Sequence, residues 1–450
     1  MATQTLTQRH TAQTKGPKDV DVDNLKVEKY VVPNFTTKDL MSVIPPHCLK
    51  PKLWRSMRYF LQDVVFLSGF LYIAHTYIPK INPENVDLGH PLAYKAARFV
   101  AWNVYGFAAG LWGMGLFDIG HDCGHGAFSL YRGVNDIIGF LTHSFIGVPY
   151  FSWKITHKHH HGNTSNLQTD YPYVPYTRSE WSLPPINEEK ENVEGTYVAE
   201  DLQEDFSEHL EYSPVFSAIW FAAQLIIGWW AYLFADIKSQ RSYPMITNHF
   251  IPKAPLFAPH QWKDVAISNF GIALWLGSIV YSIKAFGFSP VFRIYLVPYI
   301  WTNHWIIFIT WLNHTDPALP HYDQKIFTFA RGALCTFDRE MMGGHGLFAK
   351  ICNYVCMVAT HSVMETHVAH HVCSRIPHYY LWDAKAEIDK LLAAKGIKTK
   401  GAPATWSEGL RIMKETKFIE DTGDIRFYKN AQGKAAMVAV FESDGAGQDN

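Results

Sequence analysis

Charge is what this sequence has least of. Only 18% of its 450 residues are Asp, Glu, Lys or Arg, against roughly 25% in an ordinary soluble domain. The two signs nearly cancel, 40 Lys+Arg against 41 Asp+Glu, so the strongly basic face that nucleic acid calls for is missing. Cysteine is scarce too. The residues at 48, 123, 335, 352, 356 and 373 form no CxxC pair, which argues against a secreted disulfide framework and for reduced thiols facing the cytosol. Residues 1–29 are rich in Thr, Gln, Lys and Asp and contain no apolar leader core. They read as a disordered cytosolic tail, and residues 431–450 as a polar C-terminal tail. There is no internal repeat. Apolar residues are plentiful, at 48% hydrophobic and 15% aromatic, and this excludes a disordered low-complexity chain.

The mean hydropathy of −0.09 averages over very uneven stretches. Apolar blocks occupy residues 60–78, 97–117, 214–234, 265–283 and 291–312. Each is close to the ~20 residues that cross a ~30 Å hydrocarbon layer as a helix. Aromatic residues such as Trp229, Trp230, Tyr295 and Trp301 crowd their ends, as expected of anchors at the headgroup level. A further stretch, 134–150, is interrupted by Asn135, Asp136, His143 and Pro149 and suits the interface better than a crossing. Residues 177–212 are acidic and proline-containing and read as a solvated excursion.

Histidine carries the chemical signal. Three clusters stand out among the 23 histidines: His121-Asp-Cys-Gly-His125, His157-Lys-His-His160-His161 and His367-Val-Ala-His370-His371. On a helix, residues four apart lie on one face, so His121 and His125 are neighbours. Residues 157, 160 and 161 share an arc, as do 367, 370 and 371, whereas His159 points away and is left out. Neutral imidazole is the commonest metal ligand, and eight such groups suit two ions better than one. A zinc protease is a poor match. Its HExxH motif needs a Glu between the histidines, and eight ligands exceed zinc's usual four.

The clusters can form one site only if they meet on one side of the membrane. An even number of crossings must then separate the second from the third, yet three apolar blocks lie between them. The blocks 265–283 and 291–312, joined by a short Gly- and Pro-containing turn, make a hairpin, as do 60–78 and 97–117. The block 214–234, which carries Gln224, is left interfacial. Four crossings follow, and His314 falls on the side of the clusters as a ninth candidate ligand. Asn313 beside it is a further candidate, and Asp118, Asp122 and Glu365 are candidates for carboxylates that orient imidazoles. His143, His304, His321, His345, His361 and His378 lack a partner at ligand spacing and read as structural.

HDCGH, HKHHH and HVAHH resemble the three histidine boxes of the membrane-bound fatty acid desaturases. The similarity runs from about Val31 to Tyr428 and includes WLNHTDPALPHYD, FARGALCTFDRE and HVCSRIPHYYLWDA. The resemblance implies an all-α integral membrane protein: four transmembrane helices in two hairpins, interfacial helices, and a cytosolic helical cap holding two irons. The membrane desaturase domain would span residues 30–430. The implied iron ligands are His121, His125, His157, His160, His161, His314, His367, His370 and His371. The implied reaction places a cis double bond in an acyl chain with O₂ and two electrons. Cytochrome b5 and its reductase would be the donors, and the active site would face the cytosol from the endoplasmic reticulum membrane. Lys154, Lys158, Arg331 and Arg339 are candidates for the donor's docking face.

The third box begins with His367 rather than Gln, and no HPGG haem motif occurs. Both features resemble methyl-end enzymes rather than front-end ones. HVAHH, NTSNLQTD and HTDPALPHYD look like Δ12 enzymes acting on oleate, while HDCGHGAFS and Asn313 lean towards the ω3 type. Δ12 desaturation of oleate to linoleate is therefore the leading expectation. ω3 or bifunctional Δ12/ω3 desaturation and a hydroxylase, epoxygenase or acetylenase on the same scaffold are the alternatives. A metal transporter is a remote one, because a conducting path needs ionisable groups inside the membrane and the blocks offer little beyond Asp63, Asn103, Gln224 and Asn303.

Overall fold

A computed structural model describes residues 27–441. Residues 1–26 and 442–450, most of the first expected tail and the end of the second, lie outside the described residues. The chain is mostly helical. Its strands are short: β1 (Glu28–Val31), β2 (His321–Tyr322), β3 (Ile425–Arg426) and β4 (Met437–Val440). β1 runs parallel to β4 and β2 antiparallel to β3, so the two ends of the described chain are tied together.

The first two long helices are α1 (Leu53–Tyr77) and α2 (Pro91–His125). Pro91 opens α2 where a missing N–H costs nothing, and the His90 ring accepts from the Leu92 N–H. Gly126, in the left-handed region at φ 72°, stops α2 directly after His125. After α3 (Arg132–Phe145), a turn at 146–149 re-aims the chain, and α4 (Tyr150–Asn163) follows with the second histidine cluster. The stretch expected at the interface, 134–150, is thus a short helix and a turn.

Residues 177–212 are not the solvated excursion that their acidity suggests. They include α5 (Glu200–Leu210), whose Leu202, Phe206 and Leu210 pack with Leu183, Val198 and Phe418. Four-residue spacing makes that apolar stripe, and the acidic residues between hide it in a composition count. Arg178, fully buried, bridges Glu191 and Glu420, and Lys429 takes the remaining side of Glu420. Removing one member of such a buried set leaves an uncompensated charge. Ala431 belongs to that same cluster, and Ala435 and Met437 pack with Phe427.

The later helices are α6 (Pro214–Ala235), α7 (Trp262–Phe286) and α8 (Val297–His314). Among the described residues, two helical stretches are long and apolar enough by composition to cross a membrane, Pro214–Ala235 and Pro259–Phe286. Large apolar side chains also stand exposed along other helices, among them Val65 and Tyr72 on α1 and Phe99 and Val104 on α2. Apolar surface of this extent marks a protein that associates with a membrane. The block expected as one run over 291–312 is interrupted. Residues Phe292–Leu296 form a π-helical turn before α8, where Pro298 has no N–H to donate to the preceding turn.

α2 and α8 form the spine. A Cβ on Gly110 would lie 2.3 Å from Trp301 Cβ, so glycine there lets the two backbones approach closely. Leu111, Met114, Phe117, Trp305, Phe308 and Leu312 fill the core beside them, and α6 adds Phe221, Leu225, Trp229 and Leu233. Four later helices, α9 (Gly346–Ala359), α10 (His367–Val372), α11 (Leu381–Ala393) and α12 (Trp406–Glu415), extend the body around the ends of α2 and α8.

Candidate metal centre

Four elements bring the histidines together: the last turn of α2, the face of α4, the final residue of α8 and the short α10. His121, His125, His157, His161 and His370 place one ring nitrogen each within 4.8 Å of one another. His160, His314 and His371 do the same beside them. His367 joins this second set, its Nε2 lying 2.9 Å from His314 Nε2. The nine candidate ligands therefore stand in two adjoining groups. His161 and His371 connect the groups, their rings stacked at 4.1 Å.

The ring nitrogens face one another rather than protein acceptors. His161 Nε2 lies 3.1 Å from both His157 Nε2 and His370 Nε2, and His160 Nε2 lies 3.3 Å from His314 Nε2. Two neutral imidazole nitrogens that meet share at most one proton, so such an array cannot satisfy itself. His125 Nε2 and His371 Nε2 are buried with no hydrogen-bond partner at all. Burial, and then the neighbouring imidazoles, hold His125, His157, His161, His314, His370 and His371 well below their ordinary value. Burial likewise pushes His367 down to about 3. Neutral imidazoles with converging, unpartnered lone pairs are what a pair of cations requires, and the donor set fits such a centre.

The groups behind the rings differ from expectation in part. Asp118 Oδ1 lies 3.3 Å from His121 Nδ1, yet that nitrogen makes no hydrogen bond. Asp122 instead accepts from His378, at 2.9 Å from Nδ1 and 3.1 Å from the backbone N–H. Glu365 accepts from the Met341 N–H at 3.4 Å rather than from a histidine, and burial pushes it up to about 7. Asn313 is fully buried and neither polar atom of its side chain has a partner. His159 turns away from the clusters, donating to the Thr169 carbonyl and stacking on Tyr171.

Asp170 escaped the sequence reading. It accepts from His160 Nδ1 at 2.8 Å and is itself held by the Ser165 and Tyr171 N–H groups. Its only signal was the NTSNLQTD segment after the second cluster. Thr164 Oγ1 stands 3.2 Å from His371 Nδ1 in a similar position. Among the histidines read as structural, His361 donates to buried Asp63 at 2.8 Å and stacks on His378. Asp63 Oδ2 is thereby paired, and Asn103 bonds the Phe99 carbonyl. Arg339 cannot belong to a docking face. It is fully buried, bonded to Asp316 at 2.6 Å and to the Leu312 carbonyl at 2.7 Å.

Comparison with known proteins agrees with this centre. A sequence model described as fatty acid desaturase matches residues 97–400. The chain is 34% identical to a Delta(12) fatty acid desaturase of Mortierella alpina over 427 residues, covering 94% of this chain and 97% of the relative. It is 34% identical to an omega-6 fatty acid desaturase, endoplasmic reticulum, of Brassica juncea, covering 90% and 92% of the two chains. An oleate hydroxylase of Claviceps purpurea is 33% identical, covering 89% of this chain and 82% of the relative.

Proposed function

From the premise that the chain belongs to the fatty acid desaturase family, we propose that it desaturates oleoyl chains at Δ12, giving linoleoyl products with O₂ and two electrons. The observation that carries this reading is the pair of facing imidazole groups, in a chain whose relatives include Δ12 desaturases along nearly their whole length. The nine histidines would hold two irons, His121, His125, His157, His161 and His370 around one and His160, His314, His367 and His371 around the other. Bound iron would supply the redox chemistry with O₂ that removes hydrogen from an unactivated methylene, which acid–base side chains cannot do.

The chain's own residues do the rest. Asp170 fixes His160 with its proton on Nδ1, leaving Nε2 free to ligate, and Asp118 would do the same for His121 once their 3.3 Å contact closes into a hydrogen bond. Phe117, Trp153 and Trp229 form an aromatic wall beside the first group, with Trp153 stacked on His157 at 4.3 Å. That wall would exclude water and hold one methylene towards the centre, and position sets which carbon pair reacts.

The four crossings would lie in α1, α2, α7 and α8, as two hairpins, with α6 along the interface. Two contacts of α6 with helices outside the proposed crossings support that placement. Phe221 packs against Gly409 of α12, and the Tyr232 hydroxyl bonds Thr156 of α4 at 3.4 Å. Residues 30–430 would be the membrane desaturase domain, with a cytosolic tail before it and a polar tail after it. The site would face the cytosol from the endoplasmic reticulum membrane, with cytochrome b5 and its reductase as donors.

Expression in a host that makes no linoleate, followed by localisation of the double bonds in its lipids, tests the proposal. New linoleate at the expense of oleate is expected. No new product from metal-replete protein would overturn it. A hydroxylated oleate or an ω3 product would move the assignment to a relative's chemistry on the same scaffold.

A further inference from the structure

The turn Pro46–Leu49 and the helix α11 come from opposite ends of the chain and meet at the protein surface. His47 Nε2 lies 3.0 Å from Asp383 Oδ2, a contact between residues 336 apart in sequence. Beneath them, Cys48 Sγ lies 3.5 Å from the same nitrogen. One nitrogen, one sulfur and one carboxylate oxygen thus fall within 4.8 Å of one another. None of the three residues belongs to the histidine centre. We propose that His47, Cys48 and Asp383 form a separate site for one divalent cation of the zinc class, joining the N-terminal turn to the helix that follows the third histidine cluster.

The donor set selects the ion. Magnesium and calcium take oxygen ligands, whereas a mixed sulfur, nitrogen and carboxylate set suits zinc. Zinc–ligand bonds of roughly 2.0–2.3 Å at tetrahedral angles hold ligand atoms about 3.3–3.8 Å apart. The separations of 3.0 and 3.5 Å reach that range with shifts of a few tenths of an ångström. Thiolate and carboxylate together balance the ion's two charges, and on coordination the thiol's proton passes to water.

The surroundings supply both rigidity and access. Cys48 is completely buried in an apolar bed that includes Leu40, Ile44 and Leu381. Its other polar neighbour is the Tyr380 carbonyl, 3.8 Å away. The His47 ring is held edge-on against Tyr380 at 5.2 Å. Just above the thiol, the side chains of His47 and Asp383 are 54% and 55% exposed, so a hydrated ion can enter and a water can take the fourth position. An exposed His–Asp contact alone contributes little to stability, and it does not engage the thiol beneath it. A bound ion uses all three groups.

Cobalt(II), added to the full-length protein after its histidine centre is loaded with iron, is the probe. Thiolate ligation gives a near-ultraviolet charge-transfer band that imidazole ligands cannot produce. The expected result is one equivalent of cobalt per chain with that band, displaced by zinc. Cys48→Ser should remove the band, and His47→Ala and Asp383→Asn should weaken cobalt binding while iron content stays unchanged. Because His47 and Asp383 are surface residues, those two variants keep the test decisive if Cys48→Ser fails to fold. No thiolate band at several-fold excess cobalt, or a band that survives Cys48→Ser, would overturn the proposal. So would cobalt affinity that neither surface substitution changes.

Discussion

Two sets of buried histidines sit side by side in this protein and have opposite fates. His361 and His378 are as buried as His370 and His371, yet each of the first pair donates to a carboxylate, Asp63 or Asp122. The second pair faces other imidazoles. Burial alone would push His361 down, but Asp63 outweighs it and holds the ring above its ordinary value. His370 and His371, with no such counter-charge on the ring face that meets the cluster, are held well below theirs. Burial therefore does not distinguish a ligand from a structural ion pair. What separates these two pairs is whether the ring also meets other imidazoles across the cluster or is paired with a carboxylate.

The sharpest way to break that contrast is to remove one ring from each set. His161→Ala takes away a nitrogen that lies 3.1 Å from two other candidate ligands. It should abolish linoleate formation and lower the iron bound per chain, as read by metal analysis. His361→Ala should leave the iron content intact. Equal iron loss in both variants would erase the distinction.

A smaller but still large effect belongs to pH. In chelator-treated protein the depressed histidines are neutral when folded and bind protons near pH 6.5 when unfolded. Their contribution to stability is complete above about pH 6.5 and is lost as pH falls from there, for His367 until about pH 3. Each changes stability by up to roughly 1.4 kcal/mol per pH unit in that window. His361, raised in the fold, acts the other way, since its share is lost as pH rises through its folded value. Seven lowered groups outweigh it. The thermal midpoint should fall on going from pH 8 to pH 5, and less steeply once metal is bound. A flat profile would contradict the neutral-ring assignment.

Asp63→Asn should destabilise by about 1–3 kcal/mol, because it removes the carboxylate that the buried His361 ring donates to. Thermal unfolding checks this, with iron content as the control. The smallest effect falls to Asp170→Asn. It leaves every ligand in place but loosens the orientation of His160, and a 10- to 100-fold loss in metal affinity is the usual scale for such a change. A competition titration with a chelator reads it. No loss would mean that Ser165 and Tyr171 position the segment without the carboxylate's help.

Much of the site is legible in one dimension because its parts are local. The spacing of His121 and His125, and of 157, 160 and 161, follows from a 3.6-residue turn, and the helices that carry them begin and end at readable signals such as Pro91 and Gly126. Other features resisted. Asp122 sits inside the first box, yet it serves His378, 256 residues away. Asp170 reaches His160 only because the chain turns back after α4. Residues 177–212 read as solvated because composition averages over the Leu202, Phe206 and Leu210 stripe that docks them.

The sequence by itself determined which histidines share a helix face, since helical period is a property of the order of residues, and it raised the expectation that His314 joins them. The tertiary structure alone decided how the nine histidines divide into two groups and which carboxylates stand behind them. It also decided that His361, read as structural, donates to Asp63. Those outcomes depend on distances between elements such as α2, α4, α8 and α10, and packing fixes such distances between residues that sequence spacing leaves hundreds of positions apart.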